Sequence, residues 1–352
     1  MKHYNSIKVD IPQKDGYFYD ILIGADLLAD ANEIVHKFSD ANKFLIVTNE
    51  TVAKLYKNSL NVENSQWLIL KDGEEYKNFD TLKEILDKAV EYKLSRNDCI
   101  IAFGGGVVGD IAGFAASVYM RGCDFIQIPT TLLAQVDSSV GGKVAINHEF
   151  GKNLIGAFYQ PKVVIADTSV LKTLDLRQLK TGLAEVLKYA FIEKSCNSPL
   201  NYRLFSFLKM HKAEILDINP LIISQLISIC CSLKAAVVNQ DETEKGLRVI
   251  LNLGHTFAHA IENLTNYKVY THGEAVAMGM RYAFKLALNK SLIDDFDILI
   301  NVPNFDKEKF YEEMFLDKKA QNGKIRFVLP TKFFEVDVCS DITKEDIMDC
   351  LE

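Results

Sequence analysis

A short apolar run, Cys99 to Phe103 (CIIAF), leads directly into Gly104-Gly105-Gly106-Val107-Val108-Gly109-Asp110, and a helical stretch follows from Asp110 to Met120. No other feature constrains the fold of this chain as much. An apolar run bounded by glycine is the pattern of a strand buried on both faces, and such strands lie in parallel sheets covered by helices. A strand, a glycine turn and a helix begin a crossover unit. Missing side chains let the backbone approach a pyrophosphate, and the helix N-terminus adds N–H donors and a favourable dipole. Gly104, Gly106 and Gly109 fit G-x-G-x-x-G. The turn departs from a standard dinucleotide unit in two ways. It follows a strand about 100 residues into the chain rather than the first strand, and no clear acidic partner stands about 20 residues on.

The neighbouring segments agree with a parallel α/β architecture. Tyr17 to Ile23, Lys43 to Thr48, Gln66 to Leu70, Asp124 to Pro129 and Lys162 to Ala166 read as strands. Helical patterns lie between them, at Glu50 to Tyr56 and Asp80 to Tyr92. From about Asp175 the character changes to helical periodicity: Arg177 to Phe191, Pro220 to Glu242, Thr256 to Asn263 and Glu274 to Asn289. A strand signal returns at Lys324 to Leu329. The expected organisation is an α/β N-terminal domain over 1–168 and a mostly α-helical C-terminal domain over 169–352.

A length of 352 residues suits two domains. The net charge of −7 argues against non-specific nucleic-acid binding and leaves room for a local basic pocket. Met1 to Asp10 is polar and mixed in charge, without the apolar core of a leader. No run of about 20 apolar residues is expected to span a bilayer. Seven cysteines without a C-x-x-C pair point to reduced structural thiols in a cytoplasmic protein.

Chemistry-bearing residues concentrate in a few strings. Asp72-Gly73-Glu74-Glu75-Tyr76-Lys77 follows a strand, where a carboxylate and an ammonium suit ribose hydroxyls and a phosphate. His255 and His259 stand one helical turn apart, and periodicity alone makes them a metal pair. His272 follows soon after, and Glu185 lies in a helical pattern three residues before Lys188. A catalytic zinc wants three N/O ligands and an open position. Asp137, Lys143, Lys152, Asn153, Lys188, Lys234, Arg248 and the pair Lys318-Lys319 are scattered through apolar stretches. Together they suggest a pocket for a highly anionic small molecule.

These strings resemble the 3-dehydroquinate synthases, a family of sugar-phosphate cyclases. The matching pieces are Asp72 to Lys77 (DGEEYK), Gly104 to Asp110 (GGGVVGD), Gly122 to Gly142 (GCDFIQIPTTLLAQVDSSVGG), Lys143 to Asn147 (KVAIN) and Gly151 to Pro161 (GKNLIGAFYQP). Gly182 to Tyr189 (GLAEVLKY), Gly246 to Glu262 (GLRVILNLGHTFAHAIE), His272 to Gly279 (HGEAVAMG) and a tail from Asp317 to Leu329 complete them. Coverage runs from about Asn49 to Pro330.

The resemblance implies an NAD-binding α/β domain and a helical metal-binding domain. It also implies tightly held NAD⁺, one divalent metal (zinc, with cobalt possible), a homodimer, and closure of the domains on substrate. Its metal ligands are Glu185, His255 and His272, which replaces the helix-face pair. His259 then faces the substrate phosphate with Asn153, Arg121 from a partner subunit, and Lys319 in preference to Lys318. Arg248 and Lys234 hold a carboxylate; Asp137, Lys143, Lys188 and Asn252 contact hydroxyls, ring or phosphate. Cofactor contacts come from Asp72, Gly73, Glu74, Glu75, Tyr76, Lys77, Gly106, Val107, Val108, Gly109, Asp110, Thr130, Thr131, Lys143, Lys152, Leu171, Lys172 and Thr173. The implied reaction converts 3-deoxy-D-arabino-heptulosonate 7-phosphate to 3-dehydroquinate and phosphate in the shikimate pathway. Competing readings are an NAD- and metal-dependent polyol dehydrogenase, a cyclase of the same superfamily with a carboxylate-free substrate, and a non-catalytic NAD-binding module.

Overall fold

Seven segments of the first half pair into one sheet. They are β1 (Asn5–Asp10), β2 (Phe18–Gly24), β3 (Phe44–Asn49), β4 (Ser65–Leu70), β5 (Cys99–Gly104), β6 (Asp124–Pro129) and β9 (Val163–Asp167). Between the last two, β7 (Lys143–His148) and β8 (Gly151–Phe158) form a separate antiparallel hairpin. The structure, a computed structural model, describes residues 4–11, 16–199, 203–287, 303–316 and 325–351.

The strand order is β1-β2-β9-β6-β5-β3-β4. Only β1 runs antiparallel to its neighbour; every other pairing is parallel. Alternation along β3 and β5 explains the two-sided burial. Phe44, Ile46, Ile101 and Phe103 enter one core cluster, and Leu45, Val47, Ile100 and Ala102 enter the other. Each fully buried Val, Leu, Ile or Phe among them contributes about 1.5–3 kcal/mol relative to exposure. The chain leaves β3 toward β4 on one side and leaves β5 toward β6 on the other. This reversal makes the carboxyl ends of β3 and β5 the topological switch point, the position at which open α/β sheets take ligands.

The helix after the glycine turn is Gly106–Val118, so it starts four residues before the expected Asp110 and ends two before Met120. Contacts divide the chain into one unit of 1–174 with 212–242 and another of 175–211 with 243–352. The expected break at Thr168 therefore differs in two respects. The turn over Thr168–Thr173 stays with the sheet. The helix Pro220–Gln240, expected in the helical domain, packs against β1 and β2. This helix also corrects the reading of apolar runs: its mean hydropathy of 2.0 and 21 residues match a bilayer span by length and composition. Its apolar character serves burial, with Ile223, Leu226, Ile227, Cys230, Cys231 and Val238 in the core.

The second unit contains helices Leu176–Ile192, Leu204–Met210, His255–Leu264, His272–Leu286, Lys307–Leu316 and Lys344–Cys350. It also has an antiparallel hairpin of β10 (Phe327–Lys332) and β11 (Glu335–Cys339). Phe257 stacks near Tyr282 and Phe327, each with ring centroids 5.3 Å away. Two glycines set how closely its helices approach. A Cβ on Gly279 would lie 2.1 Å from the Gly254 carbonyl oxygen, and one on Gly273 would lie 2.2 Å from the Thr181 carbonyl oxygen. Backbone is the obstacle in both cases, so no rotamer change can relieve it.

Candidate active site

Local sequence places the second unit's ligating groups. Thr271 caps helix His272–Leu286: its hydroxyl accepts from the Glu274 N–H at 3.3 Å, and the Glu274 carboxylate accepts from the Thr271 N–H at 2.8 Å. Such a box stabilises a helix start by roughly 1 kcal/mol. Arg177 grips Glu274 through two bonds of 2.8 and 2.7 Å, and Thr181 donates to Thr271 at 2.7 Å. These ties, with Gly273 against Thr181, bring the first turn of that helix against helix Leu176–Ile192. His272 thereby meets Glu185.

Glu185 is fully buried. Its Oε1 lies 3.6 Å from His255 Nε2 and 3.4 Å from His272 Nε2. The ligand atoms of the three residues all fall within 4.8 Å of one another. Ligands about 2.1 Å from one tetrahedral ion stand roughly 3.4 Å apart, so this donor set fits a divalent metal of the zinc type. The outer ring nitrogens are also held: His255 Nδ1 faces the Leu253 carbonyl at 3.1 Å, and His272 Nδ1 faces Glu262 at 3.3 Å. Packing around His272 pulls its pKa down, but Glu262 and Glu185 outweigh that and raise it to about 10. Lys188 ion-pairs with Glu185 on the same helix, and both are buried.

His259 stands beside this set rather than in it. Its ring is perpendicular to that of His255 with centroids 5.8 Å apart, whereas His272 approaches His255 to 5.3 Å. The pair favoured by helical spacing is thus corrected by Glu185 and His272, which reach the site from other helices. Arg248 is buried, on the turn Leu247–Asn252. Asn252 donates to Glu244 at 2.6 Å.

In the first unit the loops after β3, β4 and β5 gather at one edge of the sheet. Asp72 accepts from the Thr51 N–H at 3.1 Å and from its hydroxyl at 2.9 Å. Lys77, buried, donates to Asp110 and to Asn153, both at 2.5 Å. Burial opposes the Lys77 charge, yet Asp110 and Glu74 hold its pKa up; burial pushes the Asp110 carboxyl up against the pull of Lys77. Glycine leaves little room at the turn: a Cβ on Gly106 would sit 3.2 Å from Ser138 Oγ, and one on Gly105 3.1 Å from Thr131 Cγ2. The backbone N–H groups of Gly106, Val107 and Val108 begin the helix, the Val108 side chain being buried, while the Gly109 N–H already donates to the Gly105 carbonyl at 3.0 Å. Thr130, at the end of β6, is buried, and its N–H donates to the Gly104 carbonyl at 2.9 Å.

Elsewhere in this unit, Lys234 ion-pairs with Asp137 and donates to its carbonyl at 2.7 Å. Leu171 is buried, while Lys172 and Thr173 are exposed. Lys143 is exposed and Lys152 half-buried, on β7 and β8. Arg121 is exposed and adopts φ +68°. Lys318 and Lys319 lie outside the described residues. Sequence reasoning did not single out Glu262, whose burial at 4% exposure is invisible in a helical string. The signal available was its position seven residues after His255 on the same helix.

Residues 67–181 match the family described as 3-dehydroquinate synthase N-terminal, and residues 182–320 match 3-dehydroquinate synthase C-terminal. A 3-dehydroquinate synthase of Pseudoalteromonas translucida (strain TAC 125) is 42% identical over 351 residues, covering 95% of this chain and 96% of its own. Among solved structures, 2-deoxy-scyllo-inosose synthase complexed with carbaglucose-6-phosphate, NAD⁺ and Co²⁺ superposes with a TM-score of 0.82 at 25% identity, over 99% of each chain. The 2-epi-5-epi-valiolone synthase of Streptomyces hygroscopicus subsp. jinggangensis 5008, with NAD⁺ and Zn²⁺ bound, reaches 0.84 at 26% identity over 95% of each chain.

Proposed function

The chain belongs to the 3-dehydroquinate synthase family, and from that premise we propose that it converts 3-deoxy-D-arabino-heptulosonate 7-phosphate to 3-dehydroquinate and phosphate. It acts as a cytoplasmic homodimer. The observation that carries the reading is the convergence of Glu185, His255 and His272 in the unit that follows an NAD-type glycine turn.

When bound, NAD⁺ takes up and returns a hydride, and a divalent metal of the zinc type polarises a substrate hydroxyl. Glu185, His255 and His272 would hold the metal. The turn from Gly106 to Asp110, the loop from Asp72 to Lys77, and Thr130, Thr131, Lys152, Leu171, Lys172 and Thr173 would hold the dinucleotide. Lys77 keeps Asp110 and Asn153 oriented at that edge.

The remaining residues bind an anion that changes its charge distribution during the reaction. Arg248 and Lys234 take the carboxylate, which distinguishes this substrate from carboxylate-free sugar phosphates. His259, Asn153, Arg121 and Lys319 take the phosphate. Asp137, Lys143, Lys188 and Asn252 contact hydroxyls, ring or phosphate. Oxidation of a ring hydroxyl acidifies the neighbouring carbon, and the substrate's own phosphate accepts that proton as it leaves. Negative charge then collects on oxygens, and the lysines, arginines and histidine stabilise it with donors already in position. Once that carbonyl is reduced again, ring opening would leave an enol and a carbonyl, which close the carbocycle.

The test is product analysis. Full-length protein supplied with NAD⁺, Zn²⁺ and the heptulosonate phosphate is expected to yield one 3-dehydroquinate per phosphate, identified by NMR. A linear oxidised sugar, or no phosphate, would overturn the reading.

A further inference from the structure

The two histidines of the candidate metal site are backed by different acceptors. His255 Nδ1 lies 3.1 Å from the Leu253 carbonyl oxygen, a neutral group. His272 Nδ1 lies 3.3 Å from Glu262 Oε1, a carboxylate. Neither a carbonyl nor an ionised carboxylate can donate, so each Nδ1 places its proton on its own acceptor, and Nε2, which faces Glu185, is the nitrogen left to ligate a metal. The fold thus sets which nitrogen of each ring would ligate.

Glu262 is well placed to do more than fix a tautomer. It is 4% exposed, on helix His255–Leu264, the helix that also begins with His255. His272 comes from the next helix, whose N-terminus the capping box and Gly273 hold in place. One carboxylate therefore connects the helix of one ligand to the ring of another. A charged acceptor on Nδ1–H also makes the opposite nitrogen a stronger donor, which a neutral carbonyl does more weakly. The other carboxylate, Glu185, is already paired with Lys188, so Glu262 adds negative charge behind the ligand set.

We propose that Glu262 is a positioning residue that orients His272 through its Nδ1–H, strengthens it as a ligand, and thereby sets the affinity of the site for its divalent metal. The proposal rests on the metal reading given above. It gives His272 a stronger donor role than His255.

Zinc affinity is measured on full-length protein by competition with a chromophoric chelator, alongside the visible absorption of the Co²⁺-loaded form. Glu262→Gln keeps shape and an acceptor but removes the charge. It is expected to weaken zinc binding by roughly 10–100-fold and to shift the Co²⁺ bands. Glu262→Asp keeps the charge one methylene further away and should fall between Gln and the unsubstituted chain; it also decides the matter if the Gln variant does not fold. Thermal unfolding of the metal-free variants supplies the folding control. Wild-type zinc affinity in both variants would overturn the proposal. So would weaker binding with unshifted Co²⁺ bands, which would make Glu262 a packing residue only. His272→Ala measured in parallel separates the two levels: if it binds zinc as tightly as the unsubstituted chain, the metal reading itself fails, and with it the proposal.

Discussion

In the first unit the candidate ligand-binding groups are backbone N–H groups at the start of helix Gly106–Val118, whereas in the second they are side-chain atoms of Glu185, His255 and His272. The backbone site comes from one contiguous string. Strand β5, the turn and the helix follow one another, so chain connectivity alone delivers the donors to the sheet edge. The side-chain site draws on three helical segments, and its geometry depends on how closely those segments pack. A backbone site tolerates changes in side chains but not loss of its turn; a side-chain site fails when any one contributor moves. The difference teaches where each unit is vulnerable.

The largest effect is expected from removing a ligand. Glu185→Ala or His272→Ala should strip stoichiometric metal and abolish turnover, because each supplies one of the three donors that converge among the described residues. Elemental analysis of the purified variants checks this; full occupancy in either would break the comparison. Gly273→Ala attacks the same site without touching a donor. Its Cβ would meet the Thr181 carbonyl at 2.2 Å, so the helix start that carries His272 must move. Overpacking of this kind costs about 1–3 kcal/mol, read by thermal unfolding, and metal content should fall with it.

His259→Ala sharpens the boundary of the side-chain site. It should keep its metal and lose activity by about 10²–10³-fold, the range for removing one donor to a developing anion. Loss of metal instead would return His259 to the ligand set. Arg248→Ala should lower kcat/KM by about 2–4 kcal/mol through loss of a charge-assisted contact to the carboxylate. Steady-state kinetics against the carboxylate-bearing substrate measures it, and an unchanged rate would remove the carboxylate pocket from the account. The smallest effect belongs to the backbone site. Gly106→Ala needs only Ser138 Oγ, at 3.2 Å, to give way, so the protein should fold normally. NAD⁺ affinity should fall roughly tenfold, because the added methyl keeps the backbone from the pyrophosphate. Calorimetric titration decides it.

The same contrast governs what could be read without coordinates. The glycine turn was legible because its residues are adjacent and their physical meaning is local. The strands β3 to β6 were legible for the same reason, within a residue or so at their ends. The metal site was not legible from spacing. Helical periodicity sees only neighbours on one helix and so paired His255 with His259; it has no access to Gly273 and Gly279, which let two other segments approach. Motif resemblance supplied Glu185 and His272, because it carries information about packing that a single helix lacks. Glu262 escaped both readings, since a glutamate in an amphipathic helix reads as solvent-facing. Helix Pro220–Gln240 was recognised, but its position on β1 and β2 is a long-range fact that no local pattern encodes. The hairpin β7–β8 is rich in glycine, lysine and asparagine and shows no clean alternation, so it did not register as strand.

The central claim is that oxidation and reduction share one bound dinucleotide, with phosphate leaving between them. Phosphate release and NADH absorbance followed together in one reaction mixture test it directly. With NAD⁺ far below the substrate concentration, many equivalents of phosphate per NAD⁺ and no lasting rise in NADH are predicted. NADH accumulating one for one with product, or substrate oxidised without phosphate release, would contradict the account and make the protein a dehydrogenase.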